Sequence, residues 1–283
     1  MKVSYYPGCT IETTAVEFGR STDAVCEALE VELVEIEDWN CCGASSAHSL
    51  DHELSLRLPG RNVALAQAAG LDVVAPCPAC YQHVLAADRR LREDPEWRSE
   101  MESLLDFEYT GQAHTRHLLE ILSQPEMLER VRERVTRPLT GLKVASYYGC
   151  VLVRPQEFTG WDDPEHPVRM DQLMAAIGAQ PVDWSYKVDC CGASMTLCRS
   201  EIVTKLSSRL ADAADEAGAD VIAAACGICQ INLDTRQKAA VELPALYFTE
   251  LMGLAFEVEG VGKWLAKHSV DPRPLLRKRG LLE

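Results

Sequence analysis

Ten of the twelve cysteines fall into two sets that share one internal order. Each set contains a single cysteine, then an adjacent pair followed by glycine, then a CxxC motif. The first set is Cys9, Cys41, Cys42, Cys77 and Cys80, and the second is Cys150, Cys190, Cys191, Cys226 and Cys229. Thiolates select zinc, copper(I) or iron-sulfur clusters among biological metals. Each set is therefore a candidate metal or cluster site.

The repetition extends to the residues around the cysteines. The sequence YYPGC ending at Cys9 recurs as YYGC, CCGAS recurs unchanged, and AGLDVVAPC recurs as AGADVIAAAC. The pair and the CxxC motif return 149 residues later, whereas the single cysteine returns 141 residues later. The second copy therefore contains eight additional residues, which we expect around Phe158 to Pro167. Such internal similarity indicates two copies of one structural unit.

Five cysteines are one more than the common sites use. A structural zinc site and an ordinary cubane cluster each take four, so the fifth is a free reactive thiol or a ligand in a less usual cluster. Adjacent side chains such as those of Cys41 and Cys42 diverge. Both can reach one cluster only through a distorted turn, which Gly43 and Gly192 would relieve, or if one sulfur bridges two irons. Alternatively, one cysteine of each pair is buried and inert.

The two copies also share their predicted secondary structure. A strand precedes the single cysteine, a second precedes the pair, and a short aliphatic strand leads into the CxxC motif, with helices between them. The three strands are expected at 3–6, 31–36 and 72–75 in the first copy and at 143–148, 180–184 and 220–225 in the second. Alternating strands and helices imply a parallel sheet, and loops at the carboxyl ends of parallel strands lie side by side. One site per copy should result.

These patterns predict an α/β fold of two pseudo-symmetric domains, each a small, mainly parallel sheet flanked by helices. We expect the first domain at residues 1–140, including a charged helical connection from about residue 81, and the second at 141–283. The tail from Val261 contains a basic run, Arg277 to Arg279, which we expect to be solvated.

Composition limits the function classes. The net charge of −15 opposes non-specific binding to nucleic acid or to anionic lipid. No run of about 18 uncharged apolar residues is present, and the N-terminus lacks the apolar segment of a signal peptide. We therefore expect a cytoplasmic protein without a membrane span. In that reducing compartment the cysteines are better explained as metal ligands or redox groups than as disulfides.

Two cysteines, Cys26 and Cys198, lie outside the repeat. Cys26 shares a predicted helical face with Phe18 and Leu29. Cys198 lies four residues before Ile202, a spacing that places both on one face of a predicted helix. We expect both to pack in the core.

Several polar residues near the cysteines are not assigned to the site. His48, His52 and His83 lie close to the first set in sequence, but none recurs at the repeat offset. Lys187 and Arg57 could contact an anionic substrate, but isolated basic residues are usually solvated, so we expect surface positions for them.

The ten cysteines resemble those of the heterodisulfide reductase B family, whose members carry this pattern in two CCG domains. The resemblance spans nearly the whole chain. It implies that the ten cysteines bind two facing noncubane [4Fe-4S] clusters, with zinc at one site as an alternative, and that a disulfide is split or formed between them. It also implies two partners: a C-like iron-sulfur protein of the same complex, which donates electrons, and an A-like flavin protein. The chain itself has no GxGxxG turn or P-loop.

The substrate is left open, because one fold can serve several functions. The CCG domain also resembles parts of lactate, glycolate, glycerol-3-phosphate and succinate oxidising systems and of sulfur-oxidising reductase-like complexes. Relatives of that kind pass electrons between partners, so an electron-relay subunit is the main alternative. A zinc-stapled scaffold without redox activity is a third hypothesis. Intact cysteines in both copies favour catalysis.

Overall fold

The chain folds into two four-stranded parallel sheets in a computed structural model that describes residues 1–44 and 46–283. The first sheet contains β1 (Lys2–Tyr5), β2 (Glu32–Glu35), β3 (Val73–Ala75) and β4 (Thr115–His117). The second contains β5 (Lys143–Tyr147), β6 (Gln180–Pro181), β7 (Val221–Ala224) and β8 (Ala245–Tyr247). The strand orders, β2-β1-β3-β4 and β6-β5-β7-β8, are equivalent. The predicted α/β fold with two pseudo-symmetric parallel sheets is confirmed.

Helices flank both sheets. Around the first sheet lie α1 (Cys9–Thr13), α2 (Val16–Ala28), α3 (Ser46–Leu50), α4 (His52–Gln67), α5 (Pro78–Glu93), α6 (Pro95–Leu105), α7 (Leu118–Leu122) and α8 (Pro125–Arg134). Around the second lie α9 (Gln156–Thr159), α10 (Arg169–Ala176), α11 (Ser200–Glu216), α12 (Gly227–Arg236), α13 (Phe248–Phe256), α14 (Val261–Leu265) and α15 (Arg273–Lys278). Ser45, the last residue of the first CCGAS segment, lies outside the described residues. No helix formed by the described residues is long and apolar enough to cross a membrane.

The strands that lead into the CxxC motifs are buried along their whole length. All residues of β3 and β7 are buried, as expected for the inner strands of a parallel sheet covered on both faces. Each strand is followed at once by a helix whose N-cap is a cysteine of the motif, Cys77 for α5 and Cys226 for α12. Pro78 at the first turn of α5 favours this start, because its φ is already helical.

The predicted connection between the domains was wrong in one respect. Residues 115–117 form β4, which pairs with β3 through Val73 and Thr115, so part of this segment belongs to the first sheet. A strand of three residues, two of them a basic residue and a histidine, carries little β signal of its own. The division that we predict at residues 140–141 falls between α8 and β5 and stays a prediction.

The two halves pack through α2 and α13. The ring of Phe18 stacks on that of Tyr247 with centroids 4.5 Å apart, and the Ser21 and Thr249 hydroxyls hydrogen-bond at 2.6 Å. The tail packs as well, since Trp264 and Leu276 are buried, while its basic run is exposed as expected. The cysteine loops of both halves are thereby held in one body.

Candidate functional site

Every cysteine of the two sets follows the carboxyl end of a strand. In the first copy, Cys9 begins α1 after β1, the pair Cys41 and Cys42 follows β2, and Cys77 follows β3. Because the strands are parallel, these ends share one edge of the sheet. The second copy repeats the arrangement after β5, β6 and β7.

The thiols of the first set form a buried trio and an outer pair. The Sγ atoms of Cys42 and Cys80 lie 3.6 Å apart, and Cys80 also hydrogen-bonds to Cys77. Cys9 and Cys41 hydrogen-bond to each other. The three residues of the trio are buried, whereas the two of the pair are exposed. The set therefore has a side that faces the protein and a side that faces solvent.

The second set divides in the same way. The Sγ atoms of Cys191 and Cys229 lie 3.3 Å apart, and Cys229 also hydrogen-bonds to Cys226. Cys150 and Cys190 form the outer pair through their own hydrogen bond. The trio is again buried, while Cys190 is exposed. The shared division indicates that both sets have one geometry.

The crowded thiols resist ionising together. Hydrogen bonding of the Cys80 thiol with the Cys42 and Cys77 sulfurs, together with burial, raises the pKa of Cys80 well above its usual range. The hydrogen bond with Cys80 in turn lowers the pKa of Cys42 to about 7. In the second set, hydrogen bonding to Cys150 lowers the pKa of Cys190 to about 6. Several thiolates in contact need a cation among them, which a metal or an iron-sulfur cluster supplies.

Glycines make room for the sulfurs. Gly43 and Gly192, which follow the cysteine pairs, have φ values of 76° and 85°, a conformation that side chains disfavour. A Cβ atom on Gly8 would lie 2.7 Å from the Cys80 Sγ, and one on Gly149 would lie 3.2 Å from a sulfur of the second set. Glycine is thus required where the chain passes the thiols. An all-sulfur donor set in such a cradle fits an iron-sulfur cluster.

Backbone amides also point at the outer pairs. The N–H of Gly43 donates to the Cys41 Sγ at 3.5 Å, and that of Gly192 donates to the Cys190 Sγ at 3.2 Å. Such donors stabilise a thiolate.

Among the described residues, no group of three or more His, Cys, Asp or Glu side chains has the geometry to hold a single metal ion.

Two buried tyrosines hold the turns that carry the cysteine pairs. The hydroxyl of Tyr6 donates to the carbonyl of Asn40 at 2.8 Å, and that of Tyr147 donates to the carbonyl of Asp189 at 2.7 Å. In both copies the acceptor is the residue before the pair. Sequence reasoning missed this role, although each tyrosine stands three residues before a single cysteine in the repeated YYPGC and YYGC segments.

The two sets approach each other through reciprocal contacts. A Cβ atom on Gly227, beside Cys226, would lie 2.8 Å from Cγ2 of Thr10, which follows Cys9. On the other side, the Nε2 of Gln82 on α5 donates to the carbonyl of Val151 at 2.8 Å. Each CxxC helix therefore touches the segment that follows the single cysteine of the other set.

The cysteines outside the sets differ from each other. Cys26 is buried, as predicted. Cys198 is exposed, so the prediction of core packing was wrong. Helix α11 begins at Ser200, so Cys198 lies in the preceding turn rather than on the apolar face of the helix with Ile202.

The two unassigned basic residues, Lys187 and Arg57, have carboxylate partners. Lys187 is buried and its Nζ lies 2.7 Å from a carboxylate oxygen of Asp171, so the predicted surface position was wrong. Arg57 pairs with Glu100. Both basic groups are thus engaged by carboxylates.

Comparison with known proteins identifies similar sequences along most of the chain. The model of the cysteine-rich domain (CCG) family matches residues 3–84 and 144–234. The chain is 30% identical over 282 residues to the 8-methylmenaquinol:fumarate reductase membrane anchor subunit of Wolinella succinogenes, covering 96% of this chain and 98% of that one. It is 33% identical to the B subunit of the ferredoxin/F(420)H(2)-dependent CoB-CoM heterodisulfide reductase of Methanosarcina acetivorans, covering 90% and 89%.

A solved structure shares the fold. The crystal structure of a hypothetical protein from Helicobacter pylori matches 95% of this chain with a TM-score of 0.70 and 12% sequence identity. The chain spans 51% of the length of that protein. At this identity the likeness concerns the fold alone.

Proposed function

Because the chain belongs to the family with two cysteine-rich (CCG) domains that includes the B subunit of heterodisulfide reductase, we propose that it is the iron-sulfur catalytic subunit of a heterodisulfide reductase or reductase-like complex. Similarity to reductase subunits supports an iron-sulfur subunit of reductase type. The finer proposal is that a disulfide is split or formed between two noncubane [4Fe-4S] clusters. One observation carries it: two complete five-cysteine sets whose loops lie against each other through Thr10 and Gly227.

The ten cysteines would hold the two clusters, one set in each of the domains 1–140 and 141–283. Bound clusters would supply single electrons and iron sites that accept sulfur. The protein supplies the rest. The buried trios keep water from the inner side, and the exposed members of the outer pairs, Cys9, Cys41 and Cys190, mark the side that a substrate can reach.

The reaction sets the demands on the site. Reducing a disulfide consumes two electrons and, for release of two thiols, two protons. Two adjacent one-electron sites can each serve one sulfur, so that neither half of the substrate leaves as a radical. The reciprocal contacts of α5 and α12 with the opposite loops favour such a shared position, because they hold the two sets close together.

Electrons must come from other proteins of the complex in this proposal. We assign a C-like iron-sulfur protein of the reductase as the direct electron donor. An A-like flavin protein of the same complex would supply electrons to that donor. Twelve cysteines suit a reducing compartment, and we place the complex in the cytoplasm.

The first test is the content of iron, zinc and acid-labile sulfide in anaerobically purified protein. About eight irons per chain with matching sulfide are expected for two four-iron clusters. About four irons with one zinc would contradict catalysis between two clusters and would favour a relay with one structural zinc site.

The second test separates the cysteine pair from other thiols. Replacing Cys42 or Cys191 by alanine should abolish disulfide reduction by the complex. Cys198→Ser is the matched control, because this thiol is exposed and outside both sets. Full reduction by Cys42→Ala or Cys191→Ala protein with intact clusters would contradict the proposal.

An electron-relay role is the second candidate. The similarity to a fumarate reductase subunit, which extends over 96% of this chain, favours it. A relay predicts clusters that are reduced and reoxidised by partner proteins while no disulfide is turned over. Assays of the complex with a disulfide and with fumarate distinguish the two candidates.

A further inference from the structure

The two cysteine sets differ in the side chains that touch their sulfurs. The half-buried Thr10 hydroxyl contacts the outer ligand Cys9 of the first set, whereas in the second set a fully buried amide contacts an inner ligand. Asn232 lies on α12, three residues after Cys229, and is fully buried. Its Nδ2 donates to the Sγ of Cys191 at 3.5 Å. Cys191 is the inner member of the cysteine pair, so this amide reaches a proposed cluster ligand directly.

A second hydrogen bond determines which end of the amide faces the sulfur. The hydroxyl of Thr196, in the turn after the pair, lies 3.1 Å from the Oδ1 of Asn232. Oδ1 accepts from this hydroxyl, so Nδ2, the donor end of the amide, faces the thiol of Cys191. Both ends of the buried amide then have partners, which stabilises this orientation.

The first copy lacks this arrangement. The residue 149 positions before Asn232 is His83, and the residue equivalent to Thr196 is Ala47. His83 is half-buried, and its ring lies edge-on to that of His48 with centroids 5.8 Å apart. Over residues 1–44 and 46–283, no side-chain amide or ring nitrogen donates to the equivalent sulfur, that of Cys42.

We propose that Asn232 raises the reduction potential of the second site, so that the second site is reduced before the first. This inference rests on the proposed function, since it requires a cluster at each set. Reduction increases the negative charge on the sulfur ligands, and an N–H donor to a ligand stabilises the more negative state. The Thr196 hydroxyl holds the donor in place.

The acidity of the free thiol is consistent with this role. The hydrogen bond with Cys229, followed by the amide of Asn232, lowers the pKa of Cys191, so both partners favour the thiolate. Cys42 shares the corresponding hydrogen bond with Cys80 but has no hydrogen bond from a side-chain amide among the described residues.

Asn232→Leu is the direct test, because leucine has a similar size and no donor. An EPR-monitored redox titration of the iron-loaded protein should show the higher of the two midpoint potentials falling. The one-electron equilibrium constant should decrease about three- to tenfold, which corresponds to about 28–59 mV. His83→Leu, the same change at the matching position of the first copy, should leave the higher potential where it is.

The alternatives are distinct. Asn232→Leu protein with full iron content and two unchanged potentials would overturn the role of Asn232. A shift in the lower potential alone would overturn the assignment to the second site. Wild-type protein without iron would overturn the proposed function, and this inference with it.

A measurement on the wild type covers the case in which Asn232→Leu protein fails to take up iron. Protein labelled with 15N in its asparagine side chains should show hyperfine coupling to 15N in the pulsed-EPR spectrum of the higher-potential cluster. Of the three asparagines, Asn40 and Asn62 donate to carbonyl oxygens, and Asn232 alone donates to a thiol sulfur among the described residues. Absence of this coupling would overturn the inference.

Discussion

Single hydroxyl groups set the position of the cysteine pairs. Tyr6 and Tyr147 are buried, and the hydroxyl of each donates to the backbone carbonyl of the residue before a cysteine pair. The two copies differ, however, in how many side chains donate to this carbonyl. The carbonyl of Asn40 also accepts from the Nδ2 of Asn62 at 2.8 Å, whereas the residue equivalent to Asn62 in the second copy is Ala211.

This difference predicts unequal effects of removing the two hydroxyls. Tyr147→Phe should lower the free energy of unfolding by about 1–2 kcal/mol, because it leaves the partly buried carbonyl of Asp189 without this donor. Tyr6→Phe should cost less, about 0.5–1 kcal/mol, because Asn62 still serves Asn40. Anaerobic urea denaturation followed by circular dichroism measures both.

Tyr186→Phe is the matched control, since within the described residues its hydroxyl makes no hydrogen bond that could be lost. We expect it to leave the unfolding midpoint unchanged. A larger loss from Tyr6→Phe than from Tyr147→Phe would contradict the importance of the second donor.

At the scale of elements, β4 ties a CxxC loop to the helix that follows. His117 ends β4 and is fully buried. Its Nδ1 accepts from the N–H of Leu119 at 3.1 Å, at the start of α7, and its Nε2 lies 2.8 Å from the carbonyl of Pro76. With Nδ1 accepting, the ring is neutral and donates through Nε2. One imidazole therefore joins β4, α7 and the segment before Cys77.

Burial lowers the pKa of His117 to about 3. The unfolded chain takes up a proton below its ordinary pKa of about 6.5, while the folded chain does not, so this group destabilises the folded state as the pH falls. The free energy of unfolding should therefore decrease by up to about 1.4 kcal/mol per pH unit between about pH 6.5 and pH 3 from this residue alone. Above about pH 6.5 the effect is absent.

The measurement compares urea denaturation of wild type and His117→Asn at pH 7.0 and 5.5. His117→Asn should be less stable at pH 7.0 but should lose less stability on acidification. His114→Asn, at an exposed position three residues earlier, is the control and should keep the slope of the wild type. An equal slope in His117→Asn would contradict a neutral, buried His117.

At the scale of the whole molecule, one helix pair determines how the two sheets face each other. Phe18 on α2 is fully buried, stacks on Tyr247 and meets Phe248 edge-on with centroids 6.0 Å apart. The Ser21 hydroxyl next to it bonds Thr249 across the same contact. These contacts lie between residues about 230 positions apart in sequence, so they hold the halves in one orientation.

Removing the central ring should therefore weaken the whole protein. Phe18→Ala is expected to lower the free energy of unfolding by about 3–5 kcal/mol, the usual cost of deleting a buried aromatic side chain. Phe158→Ala, an exposed phenylalanine under Arg89, should cost less than about 1 kcal/mol. Thermal unfolding of the iron-loaded proteins tests this, and similar losses from both variants would contradict a central role for the contact between α2 and α13.

Local signals in the sequence were sufficient for much of the fold. The six predicted strands agree with β1, β2, β3, β5, β6 and β7 to within about three residues at their ends. Runs such as VVA and VIAA carry their own apolar pattern, so they can be recognised without knowledge of their neighbours. In contrast, β4 was missed because Thr115–His117 gains its stability from pairing with β3, which no local pattern records.

The sequence by itself determined which donors are available and in what order they occur, because the repeat places ten cysteines at matched positions along the chain. Only the tertiary structure decided how those thiols divide into buried trios and outer pairs, that Thr10 meets Gly227, and that Asn232 reaches Cys191. The physical reason is that these contacts join segments separated by more than thirty residues. Their distances follow from the packing of helices on the sheets, not from the spacing of residues along the chain.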